Sequence, residues 1–292
     1  MDTFFLSVHT EDRDVSKWPN NNHFSVMLPV EYKNVAAIKL EQIQLPSTQY
    51  AFMNDYGNTT FLITLGTTTY TITIAEGMYY NPADLATELS HRIFSTTGMA
   101  VLVSYNPIHY KYSFSYTDAF QLSFETTNIN HSFWGLGSYL GFQKKVYTSN
   151  ATNTNNIPLG TSTTGHQLVS EFQSCIHGYS HVYMELDQYN TMDEIEPYTY
   201  KSNLLVHSRH SGKHNSCFAK INTLQSNLNK TPSEDWYRAF FVNNPFKSDP
   251  PIERIQKLIF KFRYHDGRLV DFGNVDFNFT LSFQFVHEHA KR

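Results

Sequence analysis

The sequence predicts a mainly β protein, a jelly-roll-like antiparallel β-sandwich with an inserted small ββαβββ module. Three observations support this fold class. Runs of Val, Ile, Thr, Tyr and Phe with alternating polarity recur along the chain, separated by Gly, Pro and Asn. Helical periodicity is convincing in a single segment. A polar, low-complexity stretch at 148–165, TSNATNTNNIPLGTSTTG, marks a boundary between β regions.

The strands of the predicted sandwich lie towards the two ends of the chain. An apolar run at 4–8 comes first, an alternating run ends at Pro29, and a third covers 35–45 before Pro46. A regular alternating strand closes the chain, which is typical of a half-buried antiparallel strand. The side chains predicted to share its apolar face are Val275, Phe277, Phe279, Leu281, Phe283 and Phe285.

The inserted module is predicted from residues 59–124. The segment 59–74, TTFLITLGTTTYTITI, indicates a β-hairpin. Asn81 followed by Pro82 is typical of a helix start, and apolar residues then recur at helical spacing until Gly98. Three strand patterns follow. We therefore predict a discontinuous sandwich domain formed by 1–50 with 146–292, and a module formed by 51–145.

The composition argues against several classes of function. With 22 Lys+Arg against 26 Asp+Glu and a net charge of −4, the chain lacks the basic excess of a nucleic-acid-binding protein. It has no apolar run of roughly 18 residues, so no membrane span is expected. The acidic opening segment does not resemble a signal peptide. We expect Cys175 and Cys217 to be free, buried thiols.

Two clusters of polar residues are candidates for chemistry. An acidic cluster beside a proline could supply an acid and a base or bind a metal, but a solvated loop is the favoured interpretation. His207, His210 and His214 could bind a metal, but no carboxylate partner stands at motif spacing, so exposed loop histidines are expected. The acidic residues are Glu185, Asp187, Asp193, Glu194 and Glu196.

No catalytic motif appears elsewhere in the sequence. The GLGSYLG segment at 135–141 lacks the spacing of a phosphate-binding loop, and turn or close-packing glycines explain it. Neither cysteine has the flanking residues of a nucleophile. The sequence therefore predicts no enzymatic activity, no cofactor and no metal site.

A polar segment near the start of the chain, HTEDRDVSKWPNNNHF, suits an extended arm better than a core. Its candidate interface residues are Arg13, Asp14, Trp18 and Pro19. Trp18 would anchor the arm on another chain, where Arg13 would pair with carboxylates. In the alternative interpretation the arm is an intramolecular edge, and Arg13 bridges its neighbours Asp12 or Asp14. The sequence does not choose between them.

Three segments together carry a family resemblance. The first combines SVHTEDRDVSKWPNNNHFSVMLP with VAAIKLEQIQLP, and the last is LIFKFRYHDGRLVDFGNVDFNFTLSFQF. Between them lies a hairpin followed by a helix start with Gly77, Tyr80, Pro82, Asp84 and Leu85. In these segments, about half the chain, the sequence resembles virion structural proteins of the nucleocytoplasmic large DNA viruses, the icosahedral giant and algal viruses.

The resemblance implies a β-sandwich scaffold that acts as a minor capsid protein beneath or between major capsid capsomers. The implied partners are the major capsid protein and other minor capsid proteins of the same virion, with self-association as a further contact. The implied location is the virion capsid, assembled in the host cytoplasm. The chain is short for a major capsid protein of these viruses.

Two other functions stay open at this stage. One is a penton, vertex or fibre-type protein whose tyrosine-rich loops bind a glycan, with the acidic region near Tyr189, Tyr198 and Tyr200 as the candidate site. The other is a metal-dependent β-barrel enzyme that uses the three histidines named above.

Overall fold

The computed structural model of the chain describes residues 2–46, 50–125, 135–151, 165–196, 213–223, 240–241 and 245–286. Every strand pair in this part of the chain is antiparallel, which confirms the mainly β, antiparallel fold class. The chain divides into two compact units. The first is Met1–Gln49 with Tyr179–Arg292, and the second is Tyr50–Gly178. None of the helices in the described ranges has the length and apolar character that a bilayer crossing needs.

The helices and strands are numbered in chain order. They are β1 (Asp2–His9), β2 (His23–Gln44), β3 (Thr60–Leu65), β4 (Thr68–Thr73), α1 (Pro82–Thr97), β5 (Leu102–Asn106), β6 (Lys111–Tyr116), β7 (Phe120–Ser123), α2 (Leu136–Leu140), β8 (Val146–Thr148), β9 (Asn150–Ala151), β10 (His166–Val169), β11 (His181–Leu186), β12 (Met192–Glu196), β13 (Lys213–Cys217), β14 (Ala219–Asn222), β15 (Phe240–Phe241), β16 (Phe246–Arg263) and β17 (Asn278–Phe285).

One large sheet organises the first unit. Its seven strands follow the order β1-β17-β2-β16-β11-β14-β15, and β12 pairs with β13 in a separate ribbon. Strand β2 pairs with β16 from His23 to Ile38, as in the pair Phe24 and Phe260. It pairs with β17 from Val35 to Gln44, as in the pair Ile43 and Phe279, so its two ends have different partners. Strand β2 therefore belongs to two regions of the sheet, one around its pairing with β16 and one around its pairing with β17.

These two regions face each other. The rings of Phe260 and Phe279 lie 4.9 Å apart, centroid to centroid. A strand rises about 3.3 Å per residue, so in a flat sheet the β2 residues opposite them, Phe24 and Ile43, would be about 60 Å apart. The contact requires β2 to bend and fold the sheet over its own apolar face, as in a sandwich whose strands turn a corner. Asn34 lies between the two halves with a φ of 56°, a conformation that Asn adopts more readily than most residues.

Pro29 does not end a strand, contrary to the sequence prediction. Strand β2 continues through it, because Pro29 is exposed and falls where the β2–β16 register shifts between Ile255 and Lys257. A proline is tolerated at such a bulge, since no ladder hydrogen bond needs its missing N–H. Strand β16 likewise runs through Pro250 and Pro251.

The core of the first unit is aromatic, as the alternating closing strand predicted. Phe279, Leu281 and Phe283 of β17 are fully buried, and Phe277 just before the strand is 3% exposed. Phe262 packs edge-on against Phe277 at 5.1 Å. Aromatic pairs in this geometry add about 0.5–1.5 kcal/mol to the free energy from burial alone.

The second unit contains two four-stranded sheets, β4-β3-β7-β8 and β5-β6-β10-β9. Phe61 of β3 and Phe114 of β6 meet at 6.2 Å and so join the two sheets through their inner faces. Helix α1 begins where predicted, because the Asn81 side chain accepts a hydrogen bond from the Ala83 N–H at 3.0 Å. It ends before Gly98, which has a φ of 71°. Its buried side chains are Leu85, Ala86, Leu89 and Ile93.

Strands beyond residue 145 also pair within the second unit. Strand β8 pairs with β7, and β10 pairs with β6. The unit therefore continues to Gly178, past the end of the module predicted from the sequence. Local patterning gives no sign of these pairings, because the polar stretch between the strands has no apolar periodicity.

Candidate interaction surfaces

The arm near the start of the chain is bound to its own first unit through Arg13. The Arg13 side chain is 7% exposed, and its Nη1 lies 2.6 Å from Oδ1 of Asp276. The same guanidinium donates to the carbonyl oxygens of Thr10, at 2.7 Å, and Trp18, at 3.1 Å. Neither carboxylate considered in the sequence analysis, Asp12 or Asp14, is the partner. Arg13 instead closes the arm on a residue that is distant in sequence.

The other three candidate arm residues lie at the surface. Asp14 accepts hydrogen bonds from Ser16 and pairs with Lys17 at 3.2 Å. Trp18 is partly exposed and packs on the His23 ring at 4.8 Å, and Pro19 is exposed. A role for Asp14, Trp18 and Pro19 in binding another chain stays a prediction.

The Arg13 contacts lead to a test of the arm. We expect Arg13→Ala to lower the free energy of unfolding by about 2 kcal/mol, because hydrogen bonds to charged groups contribute about 1.5–3 kcal/mol each when they are shielded from water. Lys17→Ala is the control, since its exposed pair with Asp14 is worth less than about 1 kcal/mol. Urea denaturation measures both variants. Equal stability of the two would show that Arg13 does not hold the arm.

Two residues of the acidic cluster, Glu185 and Glu194, are not solvated, contrary to the sequence interpretation, whereas Asp187 and Asp193 are exposed. Glu185 lies in β11 and Glu194 in β12, and both form ion pairs with Arg263 of β16, whose side chain is fully buried. Glu194 is 9% exposed. Lys261 adds a second cation 3.1 Å from Glu185, and Nδ1 of His265 lies 3.0 Å from Glu194. We call these five residues the Arg263 cluster.

The Arg263 cluster joins the β12–β13 ribbon to the large sheet. Its arginine lies over the Tyr183 ring, 5.1 Å from the centroid, and burial raises the pKa of Tyr183 to about 12. The carboxylates of Glu185 and Glu194 both form ion pairs with the buried guanidinium of Arg263. This geometry is that of a structural cross-link between three strands.

Where the structure describes the remaining chemical candidates, they form no reactive or metal-binding site. Cys217 is buried, and this burial raises the pKa of its thiol to about 12, which disfavours the nucleophilic thiolate. Cys175 is exposed, contrary to the prediction that both thiols are buried. His207 and His210 lie outside the described residues, as do Tyr198 and Tyr200. Among the residues that are described, no group of three His, Cys, Asp or Glu side chains could hold a metal ion.

Two features proposed from the sequence have structural explanations. Gly141 follows α2 with a φ of 86°, and a Cβ there would meet the backbone carbonyl of Phe172, as expected for a close-packing glycine. Tyr189, a candidate glycan contact, is 6% exposed and packs against Phe246 at 5.3 Å. A buried tyrosine presents no stacking surface to a sugar.

The outer face of one sheet in the second unit carries no charge. Strands β3, β4, β7 and β8 alternate buried and outward side chains, and the outward ones are uncharged and mostly threonine. Cross-strand pairs align them in rows, for example Thr71, Leu62, Ser123 and Val146. We call these side chains the threonine face. They are Thr60, Leu62, Thr64, Thr69, Thr71, Thr73, Gln121, Ser123, Val146 and Thr148.

The threonine face suits contact with another protein surface. Cores of protein interfaces are depleted of charged residues, because a charge that loses its water must find a partner. Threonine presents a methyl group together with a hydroxyl that can donate or accept a hydrogen bond. The hydroxyls of Thr64 and Thr69, for example, form a hydrogen bond of 2.9 Å with each other. A sheet paired in regular register also holds these side chains in fixed positions.

A second candidate surface, which is apolar, lies on strand β1. This strand stands at one end of the seven-stranded sheet. Phe4 and Phe5 are 57% and 67% exposed, although Phe4 still packs edge-on against Phe285 at 5.3 Å. The sequence predicted this strand but not its position at the sheet edge, because its partner β17 is at the other end of the chain.

No protein-family model matches the chain, and no curated protein sequence matches it. Two solved structures align along nearly all of it. The mavirus penton protein is 11% identical over 98% of this chain and 100% of its own, with a TM-score of 0.43. The Sputnik virophage structure is 10% identical over 97% and 98%, with a TM-score of 0.45. Both structural neighbours come from viruses.

Proposed function

We propose that the protein is a non-catalytic structural component of the capsid of a large icosahedral DNA virus. In this role it acts as a minor capsid protein that joins or supports major capsid capsomers. Its partners are the major capsid protein and other minor capsid proteins of the same virion, and it works in the virion after assembly in the host cytoplasm. The single observation that carries the proposal is the threonine face, a rigid, uncharged sheet surface.

The proposed mechanism is geometric. The aromatic core that joins the two sheets of the second unit, with Phe61 against Phe114, fixes the shape of the threonine face. A neighbouring capsid protein covers this face without having to desolvate a charge. Each contact can be weak, because a capsid repeats it many times and multivalency raises the total affinity. The segments that resemble virion structural proteins support the same role.

The proposal is tested by adding a charge to the threonine face. We expect Thr71→Lys to reduce incorporation of the protein into purified particles at least tenfold, because the lysine would be buried without a partner. Thr117→Lys is the matched control, since Thr117 is exposed in the turn between β6 and β7. Quantitative mass spectrometry of particles measures incorporation, and thermal unfolding shows that both variants fold.

Two results would contradict the proposal. One is equal incorporation of Thr71→Lys and Thr117→Lys into particles. The other is a wild-type chain that is abundant in infected cells yet missing from purified particles, since a capsid component must accumulate in the virion.

A further inference from the structure

Strand β1 pairs with a neighbouring strand on one side only within the described part of the chain. It stands at the end of its sheet and pairs with β17 from Asp2 to His9 without a register shift. The backbone N–H and C=O groups of an antiparallel strand point alternately to its two sides. Half of the backbone groups of β1 therefore point away from β17.

The hydrogen bonds show which residues these are. The N–H of Thr10, directly after β1, donates to the carbonyl oxygen of Phe277 at 2.9 Å. Because the direction alternates along the strand, even-numbered residues of β1 direct their backbone groups to β17. Thr3, Phe5 and Ser7 direct theirs to the outside of the sheet.

Among the described residues, this edge shows none of the features that normally prevent strand addition. Soluble proteins protect sheet edges with lysine, proline, a bulge or a covering segment. Residues 3–8 contain neither a charged residue nor a proline, and the pairing with β17 has no bulge. The exposed Phe4 and Phe5 lie on opposite faces of the strand, since successive side chains alternate. Such an edge can accept another strand through main-chain hydrogen bonds.

The sequence of this edge is self-complementary. Around Phe5 it reads hydroxyl, apolar, Phe, apolar, hydroxyl in both directions, from Thr3 to Ser7. A two-fold axis at Phe5, perpendicular to the sheet, keeps the faces of two copies aligned and makes the strands antiparallel. It places Phe5 opposite the partner subunit's Phe5, Phe4 opposite the partner subunit's Leu6, and Thr3 opposite the partner subunit's Ser7.

We propose that β1 pairs with β1 of a second copy in this register and joins their two seven-stranded sheets. The outward backbone groups of Thr3, Phe5 and Ser7 then form about six hydrogen bonds across the axis. The aromatic, aliphatic and hydroxyl pairs add side-chain contacts of the kinds that stabilise antiparallel strands. The pairing goes beyond the proposed capsid role, because it is a property of the purified protein. Its failure would leave the threonine face as the proposed capsid contact.

Sedimentation velocity of the purified full chain over a range of concentrations tests the pairing. We expect the wild type to dimerise. Phe5→Lys should weaken dimerisation at least tenfold, because the register places the two introduced lysines opposite each other and their like charges repel. Phe172→Lys is the control, because Phe172 is exposed to 55% and lies outside β1. Thermal unfolding at a concentration where both variants are monomeric should give the same midpoint if the substitutions leave the fold intact, because dimerisation itself would raise the midpoint.

Disulfide trapping tests the register. In a Cys175→Ser background, which removes the exposed thiol, Phe5→Cys should form a covalent dimer in oxidised glutathione, because Cα atoms of a hydrogen-bonded pair lie about 5.5 Å apart. Ser7→Cys should not, since its two copies would be about 13 Å apart along the strands. A wild type that stays monomeric at all concentrations, a dimer that Phe5→Lys leaves unchanged, or equal trapping at both positions would overturn the proposal.

Discussion

Replacing Arg263 with alanine is expected to lower the free energy of unfolding by about 3–5 kcal/mol, the range for breaking a buried ion pair by removing one partner. The fully buried guanidinium pairs with Glu185 and Glu194, which are themselves mostly buried. Its removal leaves two carboxylates in a poorly solvated place without their main partner. The expected loss of unfolding free energy exceeds that for an ordinary surface ion pair, because the carboxylates of Glu185 and Glu194 cannot return to water without opening the sheet.

Urea denaturation of the full chain measures this effect. Lys261→Ala is the matched control, because Lys261 pairs with the same Glu185 at 3.1 Å but is 36% exposed. We expect it to cost less than about 1 kcal/mol, as for exposed pairs. An Arg263→Ala variant as stable as Lys261→Ala would show that the Arg263 cluster does not hold the β12–β13 ribbon to the sheet.

Truncating Phe279 to alanine is expected to cost about 3–5 kcal/mol, the range for large aromatic side chains in cores. Phe279 is fully buried, and its ring meets Phe260 across the folded sheet at 4.9 Å. The substitution leaves a cavity between the two regions that β2 connects. Phe94→Ala is the control, because Phe94 is 55% exposed on α1 and should change stability by less than about 0.5 kcal/mol.

A double-mutant cycle with Phe260→Ala separates the contact between the two rings from general cavity effects. If β2 bends and brings the rings together, the two substitutions should couple by about 0.5–1.5 kcal/mol. Additive losses would mean that Phe260 and Phe279 are not in contact, and the folded-sheet description of the first unit would be wrong.

Local sequence signals predicted most of the individual elements. The hairpin around Gly66 and the helix from Pro82 depend on turn chemistry, capping and periodicity, which act over a few residues. The alternating phenylalanines of β17 identified the core of the first unit for the same reason. Local signals failed where pairing with a distant strand determines the structure. At Pro29 they predicted the end of a strand, but β2 continues because a register shift against β16 accommodates the proline.

The candidate surfaces were only partly predictable. The outward positions of β3 and β4 can be taken from the alternation in TTFLITLGTTTYTITI, so the absence of charge on them was visible in the sequence. The edge position of β1 was not, because it depends on pairing with residues 278–285. The burial of Arg263 was also hidden, since its carboxylate partners are dozens of residues away and looked like members of an exposed acidic loop.

The two units have different proposed contacts. The threonine face lies on the second unit, and the β1 edge lies on the first. The threonine face is an uncharged sheet surface that suits a different capsid protein, and the β1 edge suits a second copy. Neither contact requires a chemical step, and both depend on sheets held rigid by buried aromatic side chains. Arg13, Asp14, Trp18 and Pro19 form a further predicted contact, of which Arg13 is committed to its own chain through Asp276.

A reconstruction of whole virus particles by electron cryo-microscopy tests the central claim most directly. The capsid role predicts density for this chain in the shell, with a neighbouring capsid protein packed on the threonine face. Particles without the chain, or a chain in the shell whose threonine face is open to solvent, would contradict it.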